Sequence, residues 1–193
     1  AGKRVFLSVG PHDRPPRAYR GYDYCWWLGV LGKWDAETRG PGTEHTTIAV
    51  SGAYGGQTVD FRRLPPRGIT LLGQTRAWKD GKVTFADDLA ENLARGDENY
   101  RSLLDEADAY VERNGLEVPD DPEARRREPD PECVTHPLRE LELTVAGIAS
   151  IIWATGFSVD YSWLEVDAFD EGGRPRHQRG ISSEPGIYFL GLP

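Results

Sequence analysis

Methionine is missing from all 193 residues, the first position included. Polypeptides are initiated with Met, so Ala1 is expected to be internal to a longer protein or a trimmed terminus. Cysteine is scarce: Cys25 and Cys133 stand far apart and no Cys-x-x-Cys occurs. Neither a zinc site nor a redox dithiol can be read from that pattern, and a reduced, cytoplasmic protein is the simplest expectation. No stretch approaches the roughly 20 consecutive apolar residues of a membrane helix. No signal peptide opens the chain, because residues 1–9 lead straight into a strand-like run. Positive charge is also in deficit, with 23 Lys and Arg against 31 Asp and Glu, a net −8 and a pI near 5.1. Such a chain has no general electrostatic pull toward nucleic acid or anionic membranes, and neither is expected as a partner. Finally, no Gly-x-Gly-x-x-Gly fingerprint is present; Gly52-Ala-Tyr-Gly-Gly56 is not one, since no long helix follows it.

What is present fits a globular protein. Hydrophobic residues make up 38% and charged residues 28%, enough for one sizeable domain or two small lobes. The 14 Pro and 22 Gly imply much turn and loop, and six Trp need a core or a ligand to cover them.

Arg4-Val-Phe-Leu-Ser-Val9 is a short apolar run ended by Gly10-Pro11, the pattern of a buried strand. Ala1-Gly2-Lys3 before it reads as the C-terminal end of a preceding helix. A Pro- and Arg-rich loop follows over residues 11–20. Residues 23–34, dense in aromatics, predict a short helix; residues 39–45 read as loop and 46–50 as a strand. Residues 70–78 and 82–86 flank Lys79-Asp80-Gly81, and the Asp-Gly pair signals a hairpin. The clearest helix starts at a capping box, Asp88-x-x-Glu91, and carries Leu89, Leu93, Tyr100, Leu103, Leu104, Ala107 and Val111 at helical spacing. Gly96 is expected to weaken or kink it, and Gly115 to stop it. Residues 117–132, acidic and Pro-rich around Arg125-Arg-Arg127, predict an exposed linker open to disorder, the three arginines a solvated charge run. Residues 148–153, Ile-Ala-Ser-Ile-Ile-Trp, form a nearly continuous apolar run that predicts a strand buried on both faces. Gly172-Gly173 marks a hairpin, and residues 186–190 a last strand.

Ala154-Thr-Gly156 after a strand is a turn where Gly lets the main chain approach a flat ligand or cross between domains. Taken alone it is equally an ordinary strand-end turn. An ordered set of segments says more. Ile151-Ile-Trp-Ala-Thr-Gly-Phe157, Tyr161-Ser-Trp-Leu164, Arg179-Gly180 and Pro185-Gly-Ile-Tyr-Phe-Leu-Gly-Leu-Pro193 follow one another. Before them come Arg4-Val-Phe-Leu-Ser-Val-Gly10, Pro16-Arg17, Tyr19-Arg-Gly21, Trp26-Trp27, Gly68-Ile-Thr-Leu-Leu-Gly73 and Phe85-Ala-Asp-Asp-Leu89. This set resembles the C-terminal part of flavin-containing monooxygenase-like proteins, a group also labelled as flavoproteins of potassium transport. That label has no support in these residues, since nothing spans a membrane.

The resemblance implies an α/β chain, part of a two-Rossmann-domain flavoprotein and lacking both Gly-x-Gly-x-x-Gly units. It implies that residues 1–140 are the C-terminal part of an NADPH-binding domain with a helical elaboration, and residues 141–193 the C-terminal part of an FAD-binding domain. The implied activity is that of an FAD-dependent, NADPH-using oxidoreductase of flavin monooxygenase type acting on a small molecule. A basic residue after the second strand of a dinucleotide unit accommodates the 2′-phosphate of NADP. No Asp or Glu stands at the strand end here, and Ser8, His12, Arg14, Arg17 and Arg20 follow, with Asp13 among them. Arg suits phosphate because its planar fork donates parallel charge-assisted hydrogen bonds. Without the resemblance the loop reads as solvated; with it, Ser8, His12, Arg14 and Arg17 become the NADPH candidates, Arg14 and Ser8 first. Ala154, Thr155, Gly156 and Phe157, with Leu190, Gly191 and Leu192, are the flavin-side candidates. Related disulfide reductases place an Asp where this chain has Leu192, so any ribitol contact must come from main chain.

Other residues read more plainly. Trp26-Trp27 suits a core or an interface, through which a homo-oligomer could form. Cys25 reads as a buried, inert thiol. His45, His136 and His177 are scattered without metal spacing, Asp87-Asp88 is a helix cap, and no Ser-His-Asp arrangement or other catalytic residue can be named. Two further functions remain open: a non-catalytic binding or regulatory module on an oxidoreductase scaffold, and a pyridine nucleotide-disulfide oxidoreductase relative, which the Cys spacing disfavours. The missing fingerprints suggest a fragment of a protein of about 350 residues or more; a natural remnant is the alternative. The isolated chain is therefore expected to be inactive, not to retain FAD and to bind NADPH weakly or not at all. A purified sample carrying the visible absorption of bound flavin would overturn that expectation.

Overall fold

The computed structural model describes residues 3–36, 50–156 and 159–190. They divide into two compact units, Ala1–Ile148 and Ala149–Pro193. In the first, β1 (Val5–Ser8) leads through the Pro/Arg loop to a small hairpin of β2 (Ala18–Tyr19) and β3 (Tyr22–Asp23), then α1 (Tyr24–Val30). β4 (Val50–Ser51) and β5 (Gln57–Thr58) pair antiparallel, and β6 (Ile69–Leu72) follows. Next come β7 (Thr75–Lys79), β8 (Lys82–Phe85), the long α2 (Leu89–Asn114), α3 (Glu132–Thr135) and β9 (Glu140–Glu142). β1 and β6 form a parallel pair in register Val5 with Ile69 through Ser8 with Leu72. β7, β8 and β9 make an antiparallel sheet in that order. β9 thus holds residues 140–142 inside the first unit, across the expected boundary at 140/141. The expected loop at 39–45, His45 included, and positions 46–49 of the expected strand lie outside the described residues.

The Asp80-Gly81 hairpin forms as its sequence predicts, with φ of 51° and 79° at the two central residues, the type I′ requirement. The apolar stretch read as one strand over 70–78 is two. Residues up to Leu72 pair with β1 and those from Thr75 pair with β8. Gly73 makes the break: a Cβ there would lie 2.2 Å from the Ala86 carbonyl oxygen.

α2 ends as expected at Gly115, in the left-handed region at φ 58°, with the Leu116 N–H turned back to the Val111 carbonyl. Its start differs. The Asp88 side chain caps no helical N–H; it accepts from the Gln74 N–H at 2.9 Å, so the capping box gives way to a tie between helix start and β7. Gly96 breaks nothing, since the helix is continuous through it. α2 is the common wall of two apolar clusters. Leu89 and Leu93 pack with Val9, Leu71 and Val134. Leu104, Ala107 and Val111 pack with Tyr19 and Trp27.

Trp27 is buried in that second cluster and its indole N–H donates to the Tyr19 carbonyl at 3.0 Å. Cys25 is exposed rather than buried. Two residues along a helix turn the side chain about 200°, so burying Trp27 sends Cys25 to solvent. The stretch read as an exposed linker open to disorder is exposed but ordered: residues 122–125 form a 3-10 turn, Arg125 and Arg127 bond carboxylates on α2 while still open to water, and Arg126 pairs with Glu123 in the same segment.

The second unit is small. β10 (His177–Gln178) and β11 (Ile181–Ser182) form a hairpin over Arg179-Gly180. Tyr161, Phe169 and Phe189 pack their rings together, and Ala168 is fully buried. The Asp170 carboxylate accepts the Gly172 and Arg174 N–H groups, making the expected turn at Gly172-Gly173. Residues 186–190 supply one bridge, Ile181 to Tyr188, rather than a strand. The run at 148–153 forms no strand, and Ile152 is 90% exposed. A strand buried on both faces needs hydrogen-bonded neighbours, and residues 149–156 bond to no other described residue. Among the described residues no helix is long and apolar enough to cross a membrane.

Leu104 is fully buried. Leu104→Ala should therefore cost about 2–5 kcal/mol in urea unfolding, whereas Ile152→Lys should stay within about 0.5 kcal/mol of the parent. Equal losses would contradict this division into core and surface.

Candidate functional site

In open α/β sheets, ligands bind outside the carboxyl ends of parallel strands. Here those ends are Ser8, Val9 and Gly10 on β1, and Leu72 and Gly73 on β6. The Ser8 hydroxyl donates to the Gly73 carbonyl at 3.0 Å and accepts from the Thr75 N–H and hydroxyl, each at 3.0 Å. The Asn92 amide of α2 donates to the Val9 carbonyl at 3.0 Å.

Beyond Gly10 the loop turns onto α2. The His12 Nδ1–H donates to the Gly10 carbonyl at 3.0 Å, and its ring lies 4.7 Å from that of Phe61. Gly96 makes room for it: a Cβ there would fall 2.8 Å from His12 Nε2. Burial pushes the His12 pKa down, and nearby Arg14 adds to that, against the opposing pull of the Gly10 carbonyl.

Arg14 is buried too. Its guanidinium donates to Asp97 at 2.8 Å and Asp60 at 3.3 Å and covers the Tyr100 ring at 4.3 Å, while its Nε has no partner. Asp97 also accepts from Arg62 at 3.0 Å and Arg127 at 3.1 Å. Asp130 accepts from Arg62 at 2.7 Å and Arg127 at 2.8 Å. Burial pushes the Asp130 carboxyl up, but those guanidiniums outweigh it and hold the pKa below its ordinary value. Three guanidiniums and three carboxylates thus form one charge-balanced knot between the two apolar clusters of α2.

The structure therefore gathers Ser8, His12 and Arg14 between the strand ends and α2. Arg17 stands apart, bonded to Asp23, its N–H donating to Thr58 at 2.8 Å. Arg20 reaches Asp108 and Asp120 at 2.6 and 2.8 Å. Ala154, Thr155 and Gly156 belong to the second unit and are exposed, as is Leu190. Phe157, Gly191 and Leu192 lie outside the described residues. Both cysteines are free, and among the described residues no group of His, Cys, Asp and Glu is arranged to hold a metal ion. Sequence reasoning missed Asp60, Arg62, Asp97 and Asp130. For Asp97 a signal existed: it sits four residues after Leu93 and seven before Leu104, on the apolar stripe of the helix.

Comparison with known proteins gives a short match. Over 47 residues the chain is 53% identical to an uncharacterized oxidoreductase, CzcO-like, of Geobacillus kaustophilus. It is 45% identical over 47 residues to proteins named uncharacterized oxidoreductase CzcO in Bacillus velezensis and Bacillus subtilis. In each case the match spans 24% of this chain and 14% of the relative's length. These matches support an oxidoreductase relationship. No family model matches, and no solved structure does.

Gly96→Ala should destabilise the protein by about 1 kcal/mol, the clash with His12 exceeding the helix propensity gained. In a His12→Ala background the same change should become neutral or stabilising, which a double-mutant cycle in urea will measure. The pH response follows from the lowered His12 pKa. The unfolded chain binds the proton more readily, so this part of stability is full above the ordinary value of 6.5 and is lost as pH falls toward the folded-state pKa. His12→Asn should flatten that loss, read as the difference between variant and parent in urea midpoints at about pH 7.5 and about pH 5.

Proposed function

We propose that this chain is the C-terminal part of an NADPH- and FAD-dependent oxidoreductase of flavin monooxygenase type, built on two Rossmann-type domains and acting on a small molecule. The observation that carries the reading is the parallel β1–β6 pair, whose first strand ends in the loop of Ser8, His12, Arg14 and Arg17. The 47-residue similarity to proteins named oxidoreductases supports it. In this reading the strand ends face NADPH. Arg17 is the better phosphate ligand, because its partner Asp23 is 45% exposed, against 9% and 7% for the partners of Arg14, and a pair open to water holds by no more than about 1 kcal/mol. Arg14 holds the loop on α2 and could meet phosphate only by giving up buried carboxylates. Ser8 fixes the join between strand end and β7.

Bound FAD would supply the redox chemistry. Gly156, at φ 87° and with no atom of the described residues beyond its chain neighbours within 4 Å of where a Cβ would stand, leaves the Ala154-Thr-Gly turn open to a flat ring. Phe157, Leu190, Gly191 and Leu192 complete that proposed side. A reduced cytoplasmic setting accords with two free thiols, and the half-buried Trp26, stacked on Tyr22 at 4.1 Å, offers a homo-oligomer contact.

One observation favours a non-catalytic module instead: Arg14, Arg17 and Arg20 are all already paired with carboxylates. Titration of the full-length protein with NADPH and NADH, followed by Trp fluorescence, separates the two. The oxidoreductase reading expects NADPH to bind at least about tenfold more tightly, about 1.4 kcal/mol, and Arg17→Ala to erase the preference with circular dichroism unchanged. Absence of any preference in the parent protein would favour the module.

A further inference from the structure

Between Leu116 and α3 the chain crosses α2 as a strap. Over residues 117–131 only Val118 and Ala124 pack against an apolar cluster; the remainder is Pro or charged. Its own N–H groups bond locally, Ala124 to the Asp121 carbonyl and Arg126 to Glu123, and its Pro119 carbonyl accepts from Arg20 Nε at 3.0 Å. No strap amide bonds to a strand or to α2. Ion pairs hold it: Arg125 to Asp105 and Asp108 at 2.8 and 2.7 Å, Arg127 to Asp97 at 3.1 Å, Arg63 to Glu128 at 2.8 Å, and Arg20 to Asp120 at 2.8 Å. At its end Asp130 takes the Nε–H of Arg62 at 2.7 Å.

These contacts fall into two classes. The strap cations are open to water, Arg125 42% and Arg127 50% exposed, so salt screens their pairs. Beneath them the Arg62 side chain is 2% exposed and Asp97 7%, where screening is far weaker. The charges also divide evenly. Arg127 and Asp130 are bonded to each other twice, at 2.8 and 2.9 Å, and can leave together. Arg14, Arg62, Asp60 and Asp97 then remain, two cations and two anions. Departure strands no buried charge, which is the step that makes breaking a buried ion network costly.

We infer that residues 117–131 are a charge-latched lid over Arg62, which opens while α2 and both apolar clusters stay folded and so presents the Arg62 guanidinium to a small anionic ligand, a carboxylate or a phosphate. Asp130 is the internal stand-in for that ligand. A guanidinium that already binds a carboxylate through Nε can accept another oxyanion there without moving.

Hydrogen exchange with mass spectrometry, on the whole chain at constant pH, tests this. Raising NaCl from about 0.01 M to about 1 M shortens the Debye length from about 30 Å to about 3 Å. Strap amides should then exchange at least about tenfold faster, while α2 amides keep their protection. Asp130→Asn, which leaves every buried arginine in place, should speed strap exchange at low salt. Sodium phosphate at matched ionic strength should open the strap further than NaCl does. Exchange that rises in strap and α2 together would mean the strap opens only by unfolding, and would overturn the lid. A strap indifferent to salt would overturn the latch, and equal opening in the two salts would overturn the anion site.

Discussion

Three guanidiniums converge on the carboxylate of Asp97, half-way along the buried face of α2, and the first unit depends on that convergence. Arg14 brings the loop that leaves β1, Arg62 the turn that follows β5, and Arg127 the segment leading to α3. The turn of Arg62 also packs Phe61 and Leu64 against the first apolar cluster, but the segment of Arg127 from residue 125 to 131 has no apolar side chain other than Pro. A single acidic residue placed on an otherwise apolar stripe gives all three a common address. Taking it from water is tolerable only because each of its oxygens is met and because Asp60 and Asp130 balance the extra positive charge.

This arrangement explains how much could be read in advance. Local rules worked where the governing contact is local. Asp80-Gly81 turns because both residues tolerate positive φ, Gly115 ends α2 for the same reason, and the helix itself follows from the spacing of its leucines. Two further hairpins, over Arg20-Gly21 and Arg179-Gly180, use the same pair of positive φ values with Arg in the first place, which no turn rule would select. Local rules failed where the partner is distant in sequence. Asp88 looked like a cap and serves β7; Arg125 and Arg127 looked like part of a solvated run and pair with α2 carboxylates; Cys25 looked buried because its neighbours are aromatic. For the candidate site, Ser8, His12 and Arg14 were legible as a group following a strand. Their partners Asp60, Arg62 and Asp130 were not, because pairing across dozens of residues leaves no periodic trace.

The electrostatics bear on function in one direction. The chain is acidic overall, and near the strand ends its arginines already have carboxylate partners. Phosphate recognition at such a surface is an exchange of one anion for another, and its strength depends on how firmly the resident carboxylate is held. Arg17, with an exposed partner, and Arg14, with two buried ones, sit at opposite ends of that scale. If the loop meets phosphate as proposed, it would discriminate by the number of charges on the incoming ligand, since a monoanion gains little over the aspartate it displaces.

The bare stretch from Leu143 to Gly156 has a consequence for the protein in bulk. It carries no charge, exposes Ile151, Ile152 and Trp153 to water, and keeps the amides of 149–156 unsatisfied by any other described residue. Identical segments of this kind stack readily between molecules, each supplying the hydrogen bonds the next one lacks. What holds copies apart is the net −8 of the whole chain. That repulsion vanishes near the pI of about 5.1. Mild acidity is therefore where this protein should leave solution, by intermolecular sheet formation that needs no prior loss of its folded core.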